Sequence, residues 1–162
     1  MDSNDMPGVF KELGLYFQYP DNWSVEHEAN DSDETGQGGQ VVVSSPHTAF
    51  WQLSQLQPAT ELEALFDEAL SALRIEYENI EVEPSGSENI EGLLVEGYDV
   101  RFFYLDLTNT CWLRGFSTAD ANYLLLCQAE DQEFADVCPV FRAMLASLLQ
   151  NLDGPTHATS GM

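Results

Sequence analysis

Two segments of this sequence carry apolar side chains at consecutive positions, and they restrict the fold more than any other feature. The segments are Arg101–Leu105 (RFFYL) and Tyr123–Cys127 (YLLLC). Their spacing from the intervening strand, Thr110–Thr118, is that of successive hairpins, so we predict antiparallel strands. An antiparallel sheet with one face in water would alternate apolar and polar residues. Both faces of this sheet must therefore be covered.

Two amphipathic helices are predicted to provide the cover. The first, Thr60–Tyr77, opens with a capping box (TELE) and repeats large apolar residues at helical spacing. The second, Asp131–Gln150, contains Pro139, at which we expect a kink or a break. One helix on each side of an antiparallel sheet gives an α+β protein, a three-layer α/β/α sandwich.

The chain of 162 residues is the right length for one domain with a sizeable core. We assign residues 14–150 to this domain, residues 1–13 to a lead-in segment and residues 151–162 to a flexible tail. The predicted strands are short apolar runs between turn-forming residues. They are Leu15–Tyr19, Trp23–Glu26, Val41–Val43, Thr48–Leu53, Ile80–Val82, Gly92–Leu107, Thr110–Thr118 and Asn122–Ala129.

The composition is strongly acidic. The chain has 28 aspartates and glutamates against five lysines and arginines, a formal net charge of −23. Such a surface repels the phosphates of nucleic acids and anionic lipids, so the sequence argues against nucleic acid and membrane as partners. Two explanations of the acidity stay open. It serves solubility, including life in high salt, or it attracts a basic protein.

The cysteines favour a reducing compartment. Cys111, Cys127 and Cys138 are an odd number, lack CxxC spacing and lie among apolar residues, as buried free thiols do. The N-terminus shows no signal-peptide pattern, and no stretch is long and apolar enough to cross a bilayer. A chain without its natural leader would look the same. We expect a cytoplasmic protein.

Several scaffold positions resemble the PsbP-like superfamily. They are the turn Tyr19–Trp23 (YPDNW) after a short aromatic strand, and Pro139–Phe141 and Ser147–Leu148 in the last helix. The superfamily includes the photosystem II extrinsic protein PsbP, a small Ran-binding nuclear import factor and bacterial relatives of unknown function. The resemblance covers about residues 14–149 and implies the α/β/α scaffold without an active site. Because known members mostly bind proteins, it also implies a binding function.

No motif in the sequence indicates catalysis, a cofactor or a metal. Asp31–Gly36 resembles the start of a calcium loop, but its twelfth position is Val42, where a bidentate glutamate is needed. His27, His47 and His157 lack the spacing of zinc ligands. We therefore expect no cofactor, no metal site and no enzymatic activity.

Arg101 and Arg114 are the best candidates for a ligand site. A tight turn at Thr108–Asn109 would place Arg101 opposite Phe116 and Arg114 opposite Phe103, with both arginines on one face of the sheet. Two cations there could hold an anion. In the alternative, each arginine pairs with a nearby acid or lies on an aromatic ring.

Two functional hypotheses result. The first is a non-catalytic protein-interaction or accessory module with a basic protein partner. The alternative is a small-molecule or anion-binding protein, or an unrecognised enzyme, with a pocket near Arg101 and Arg114. A concave pocket lined by both arginines would favour the alternative, and a flat acidic face would favour the first. The first hypothesis assigns the partner contact to the aromatic first strand and to Glu26, Glu28, Asp31, Asp33 and Glu34.

Overall fold

The computed structural model describes residues 8–29, 39–58 and 61–152, and within these ranges the chain forms nine strands and two helices. The helices are α1 (Leu62–Glu76) and α2 (Asp131–Gln150). The strands are β1 (Gly8–Phe10), β2 (Phe17–Tyr19), β3 (Ser24–Ala29), β4 (Gly39–Ser44), β5 (Phe50–Leu56), β6 (Glu81–Ile90), β7 (Leu93–Tyr104), β8 (Leu107–Ser117) and β9 (Asn122–Glu130).

Seven strands form one antiparallel sheet in the order β3-β4-β5-β9-β8-β7-β6, while β1 and β2 pair separately. After β5 the chain leaves the sheet and forms α1. It returns at the far edge as β6 and then winds back through β7 and β8 to β9, which lies beside β5. The last four strands are thus joined by three successive hairpins, of which the spacing of the last three strands predicts two.

The two helices cover opposite faces of the sheet, which confirms the α/β/α sandwich. Helix α1 buries Phe66 and Leu70 in one core, together with Leu113 of β8. Helix α2 buries Phe141 and Leu148 in the other core. Apolar stripes on both helices lose their contact with water here, and this burial is the main force that holds the layers together.

Strand β9 shows why both faces of the sheet are apolar. Leu125 is 1% exposed and belongs to the core under α2. Leu124 points the other way and packs, half-buried, against the core under α1. The consecutive leucines therefore belong to two different cores, as the sequence pattern predicts.

Helix α2 has the predicted bounds but is not broken at Pro139, which lies within one continuous helix. Proline removes the hydrogen bond to the carbonyl four residues earlier, that of Ala135. Both residues are exposed, so water can hydrate this carbonyl. The helix begins where the Glu130 carboxylate accepts hydrogen bonds from the backbone N–H groups of Gln132, at 2.7 Å, and Glu133, at 3.4 Å.

Two other segments differ from the prediction. Strand β6 extends to Ile90, beyond the expected end at Val82, because an edge strand tolerates the proline and glycine that usually end a strand. Its ladder with β7 is irregular between Pro84 and Gly86. Strand β1 lies within the expected lead-in segment. Thr60 of the predicted capping box is outside the described residues. The predicted cap is wrong by one residue, because α1 begins after Glu61, whose side chain makes no capping hydrogen bond.

The β7–β8 turn is at Leu105–Asp106, not at Thr108–Asn109. Arg101 therefore pairs with Thr110, and Arg114 pairs with Gly97. In this register Val100 pairs with Cys111, and both residues lie in the core under α1. The shift moves each partner by an even number of residues, so both arginines still lie on one face of the sheet.

Candidate functional site

The tip of the β7–β8 hairpin exposes four large apolar side chains. Phe103 is 71% exposed, Tyr104 50%, Leu105 77% and Leu107 48%. We call these four residues the apolar tip. Tyr104 pairs with Leu107 on one face of the hairpin and Phe103 lies on the other face, and large apolar side chains left exposed together mark a surface that binds another molecule.

The backbone of the apolar tip is strained. Leu105 and Asp106 form a two-residue turn in which both have positive φ, 53° and 64°. Asparagine, aspartate and glycine suit such a turn, whereas at Leu105 this conformation is disfavoured because it brings the Cβ close to the following carbonyl oxygen. The neighbouring β6–β7 hairpin has the same geometry with Glu91 and Gly92, which places a glycine at its second position.

The base of the hairpin is held firmly. Tyr77, at the end of α1, stacks on Phe102 with ring centroids 3.9 Å apart and meets Tyr104 edge-on at 5.4 Å. On the other face, Arg101 forms a 3.5 Å ion pair with Asp131 at the start of α2. Both helices therefore support the strands from which the apolar tip projects.

A second feature is a cleft of about 370 Å³ between α2 and the sheet, which we call the sheet–helix cleft. Trp112, Arg114 and Leu125 form part of its floor, and Glu88 of β6 and Arg142 of α2 face each other across it. Ser85 and Gly86 of the edge strand β6 also line the cleft. Two of the five basic residues of the chain line it.

Arg114 is fixed at the floor of the cleft. Its Nη1 donates to the carbonyl oxygens of Tyr98 and Leu113, each at 3.0 Å, and its Nη2 donates to Asp99 Oδ1 at 2.9 Å. Its side chain is only 15% exposed. The close approach of β7 to β8 that this network requires depends on Gly97, because a Cβ there would lie 1.8 Å from the Leu113 carbonyl oxygen.

Arg142 is held much less tightly. Its side chain is 58% exposed, and its ion pair with Glu88 is 4.0 Å long, beyond hydrogen-bond distance. The guanidinium carbons of Arg142 and Arg114 lie 5.2 and 5.1 Å from the ring centroid of Trp112. Cation–π attraction therefore holds two positive charges beside one indole ring.

Two buried cysteines of the central strands, Cys111 of β8 and Cys127 of β9, have unreactive thiols. Burial is the main cause that raises the pKa of Cys111 to about 12. The nearby Arg114 lowers this pKa to a smaller extent, and Asp99 adds a smaller increase. Burial also raises the pKa of Cys127, on the cleft floor, well above its ordinary value. Both sulfurs stay protonated at neutral pH and behave as apolar atoms.

The candidate residues predicted from the sequence are not brought together. Arg114 lies in the cleft, whereas Arg101 pairs with Asp131 closer to the hairpin tip. Glu26 and Glu28 are exposed on β3, at the opposite edge of the sheet from β6. Asp31, Asp33 and Glu34, and with them the calcium-like segment, are outside the described residues. The aromatic first strand cannot contact a partner through Phe17, which is fully buried.

The apolar tip and Arg142 are not predicted by the sequence pattern. The run RFFYLDL predicts the end of a strand, because it contains no asparagine, glycine or proline to signal a turn. Among the described residues, no group of three or more histidine, cysteine or acidic side chains is placed to hold a metal ion. No helix in the same part of the chain is both long and apolar enough to cross a membrane.

Comparison with known proteins adds evidence on the fold. No protein-family model and no curated protein matches the chain. Among solved structures, cyanobacterial PsbP (CyanoP) from Synechocystis sp. PCC 6803 is similar at 10% identity and a TM-score of 0.54, over 88% of this chain and 89% of that one. PA94 from Pseudomonas aeruginosa, a protein of unknown function described as a putative regulator, is similar at 10% identity and a TM-score of 0.51, over 88% of this chain and 95% of that one. The chain thus has a PsbP-like fold.

Proposed function

We propose that this protein is a non-catalytic interaction module that docks through the apolar tip into an apolar pocket with a basic rim on a partner protein. One observation carries the proposal: Leu105 is 77% exposed and also has a φ of 53°. Solubility disfavours a leucine at this position, and so does the turn geometry. A residue that folding and solubility both disfavour is best explained by a contact with another molecule.

The net charge defines the kind of partner. Copies of a chain with a formal charge of −23 repel one another, which opposes self-association through the tip. A basic protein is attracted instead, and long-range attraction raises its association rate. Glu26 and Glu28 lie near the far edge of the sheet, so they contribute to this field and not to the contact. The free thiols are consistent with a cytoplasmic setting, which we include in the proposal.

Photo-crosslinking in a lysate of the native cells tests the proposal. The photoreactive residue p-benzoylphenylalanine replaces Leu105 in one sample and Glu91, the matched position of the neighbouring hairpin, in the other. We expect a dominant adduct with a basic protein from position 105 and not from position 91. The double substitution Phe103→Ser and Leu107→Ser should abolish the adduct from position 105, and added salt should reduce the yield of this adduct. The same adducts from both positions, or an adduct that survives both serine substitutions, would contradict the proposal.

A further inference from the structure

The sheet–helix cleft has features of a small-molecule site, and it is separate from the apolar tip. Its volume of about 370 Å³ is within the range of small-ligand pockets, roughly 300–1,000 Å³. Apolar groups of Val95, Leu125 and Leu145 line it, and charged groups of Arg142 and Glu88 stand at its sides. An apolar interior with a few convergent polar groups is typical of such sites.

We propose that the sheet–helix cleft binds a small monocarboxylic acid, with the carboxylate on Arg142 and the apolar body between α2 and the sheet. Arg114 cannot serve as the anchor, because its guanidinium already donates to Asp99 and two backbone carbonyls. Arg142 can, because its contact with Glu88 is 4.0 Å long and its side chain is 58% exposed. A carboxylate would form shorter, charge-assisted hydrogen bonds with this guanidinium.

The charges around Arg142 select for a single negative charge. Asp99 offsets Arg114, and Glu88 faces Arg142, so the cleft offers one guanidinium that is not already neutralised by a close carboxylate. The whole molecule is acidic and repels polyanions such as phosphate or citrate. The apolar body of the ligand contributes through burial against Leu125, Leu145 and the protonated Cys127. An apolar acid is therefore favoured over a polar one.

Glu88 competes with the ligand for Arg142. The two side chains are 61% and 58% exposed, so either can be replaced with little effect on the fold. Removing the Glu88 charge should strengthen ligand binding, and removing the Arg142 charge should weaken it. These opposite effects separate a carboxylate site from a purely apolar groove, in which neither substitution would matter.

Titrations followed by NMR of the Trp112 indole N–H provide the test, with phenylacetate and hexanoate as probes. Phenylacetamide serves as the uncharged control and inorganic phosphate as the polyanion. We expect both acids to bind at about 1 mM or tighter, and the amide and phosphate to bind at least about tenfold more weakly. Arg142→Ala should weaken binding of the acids about tenfold, whereas Glu88→Gln should strengthen it about threefold.

Arg101→Ala is the matched control, because it also removes an exposed, ion-paired arginine but lies outside the cleft. It should leave the affinity for phenylacetate unchanged. The proposal fails if neither acid shifts the Trp112 resonance at about ten times the expected dissociation constant. It also fails if phenylacetamide or phosphate binds as well as phenylacetate, or if Arg142→Ala and Arg101→Ala have equal effects.

Discussion

Among single residues, Glu133 links helix α2 through hydrogen bonds to the turn between β4 and β5. Its carboxylate accepts hydrogen bonds from the Ser45 hydroxyl at 2.6 Å, the Thr48 hydroxyl at 2.6 Å and the Thr48 backbone N–H at 2.7 Å. Burial by itself raises the pKa of Glu133, but these hydrogen bonds outweigh it, and the net pKa is lowered. The charged form is therefore the one that stabilises the fold.

The lowered pKa of Glu133 predicts acid sensitivity. A carboxyl whose pKa is lower in the folded state adds stability that is complete above its unfolded pKa, near 4.5, and is lost as pH falls through the folded value. Glu133→Gln should lower the free energy of unfolding by about 1 kcal/mol at pH 7, and by less near pH 3. Urea denaturation at both pH values measures this. Asp136→Asn, an exposed neighbour on the same helix, is the control, and an equal loss at both pH values would contradict the assignment.

Gly97 is a second residue with a defined role. Because a Cβ at this position would lie 1.8 Å from the backbone oxygen of Leu113, Gly97→Ala must separate β7 from β8. We expect the free energy of unfolding to fall by about 2–3 kcal/mol, measured by urea denaturation. Gly115→Ala is the comparison, since its Cβ would meet the outer ring atom of Phe66 at 2.7 Å and a side chain can move. A loss for Gly97→Ala that does not exceed the loss for Gly115→Ala would show that the strands accommodate a side chain at Gly97.

Among the elements, the β7–β8 hairpin combines strain with exposure. Replacing Leu105→Asn and Asp106→Gly supplies the residues that a turn with two positive φ values favours. We expect this double variant to unfold at higher urea concentration, with a gain of about 1–2 kcal/mol, and to lose partner binding. Glu91→Asn in the β6–β7 hairpin is the control and should change stability by less, because it alters one position of a turn whose second position is already glycine, Gly92. A double variant that is less stable than the natural chain would show that the turn is not strained.

For the whole molecule, the formal charge of −23 dominates the response to salt. Folding brings like charges closer together than they are in the expanded chain, so repulsion lowers stability at low ionic strength. The Debye length falls from about 30 Å at 0.01 M to about 3 Å at 1 M, and screening changes fastest at low salt. The melting temperature should therefore rise with sodium chloride, mostly at low concentrations. Glu26→Gln with Glu28→Gln should reduce this slope, and a flat or falling melting temperature would mean that the carboxylates are too dispersed to repel.

The sequence by itself determined the layers of this protein. Consecutive apolar residues such as Leu124 and Leu125 require a sheet that is covered on both faces. The helical spacing of apolar residues elsewhere in the chain predicts the two amphipathic helices that cover it. These features are local, because the side-chain period of a strand or helix follows from its own backbone geometry. For the same reason helix α2 has the predicted bounds, Asp131–Gln150.

Only the tertiary structure decided the sites. The turn at Leu105–Asp106 follows from a strand pairing that places Val100 opposite Cys111 in the core under α1, whereas the sequence predicts the turn at Thr108–Asn109. Arg142 meets Trp112 only because α2 packs across that face of the sheet. The exposure of the apolar tip and the contacts between residues distant in sequence both depend on how whole helices and strands pack together. The energy of that packing is shared among many non-local contacts, and a local sequence pattern does not record it.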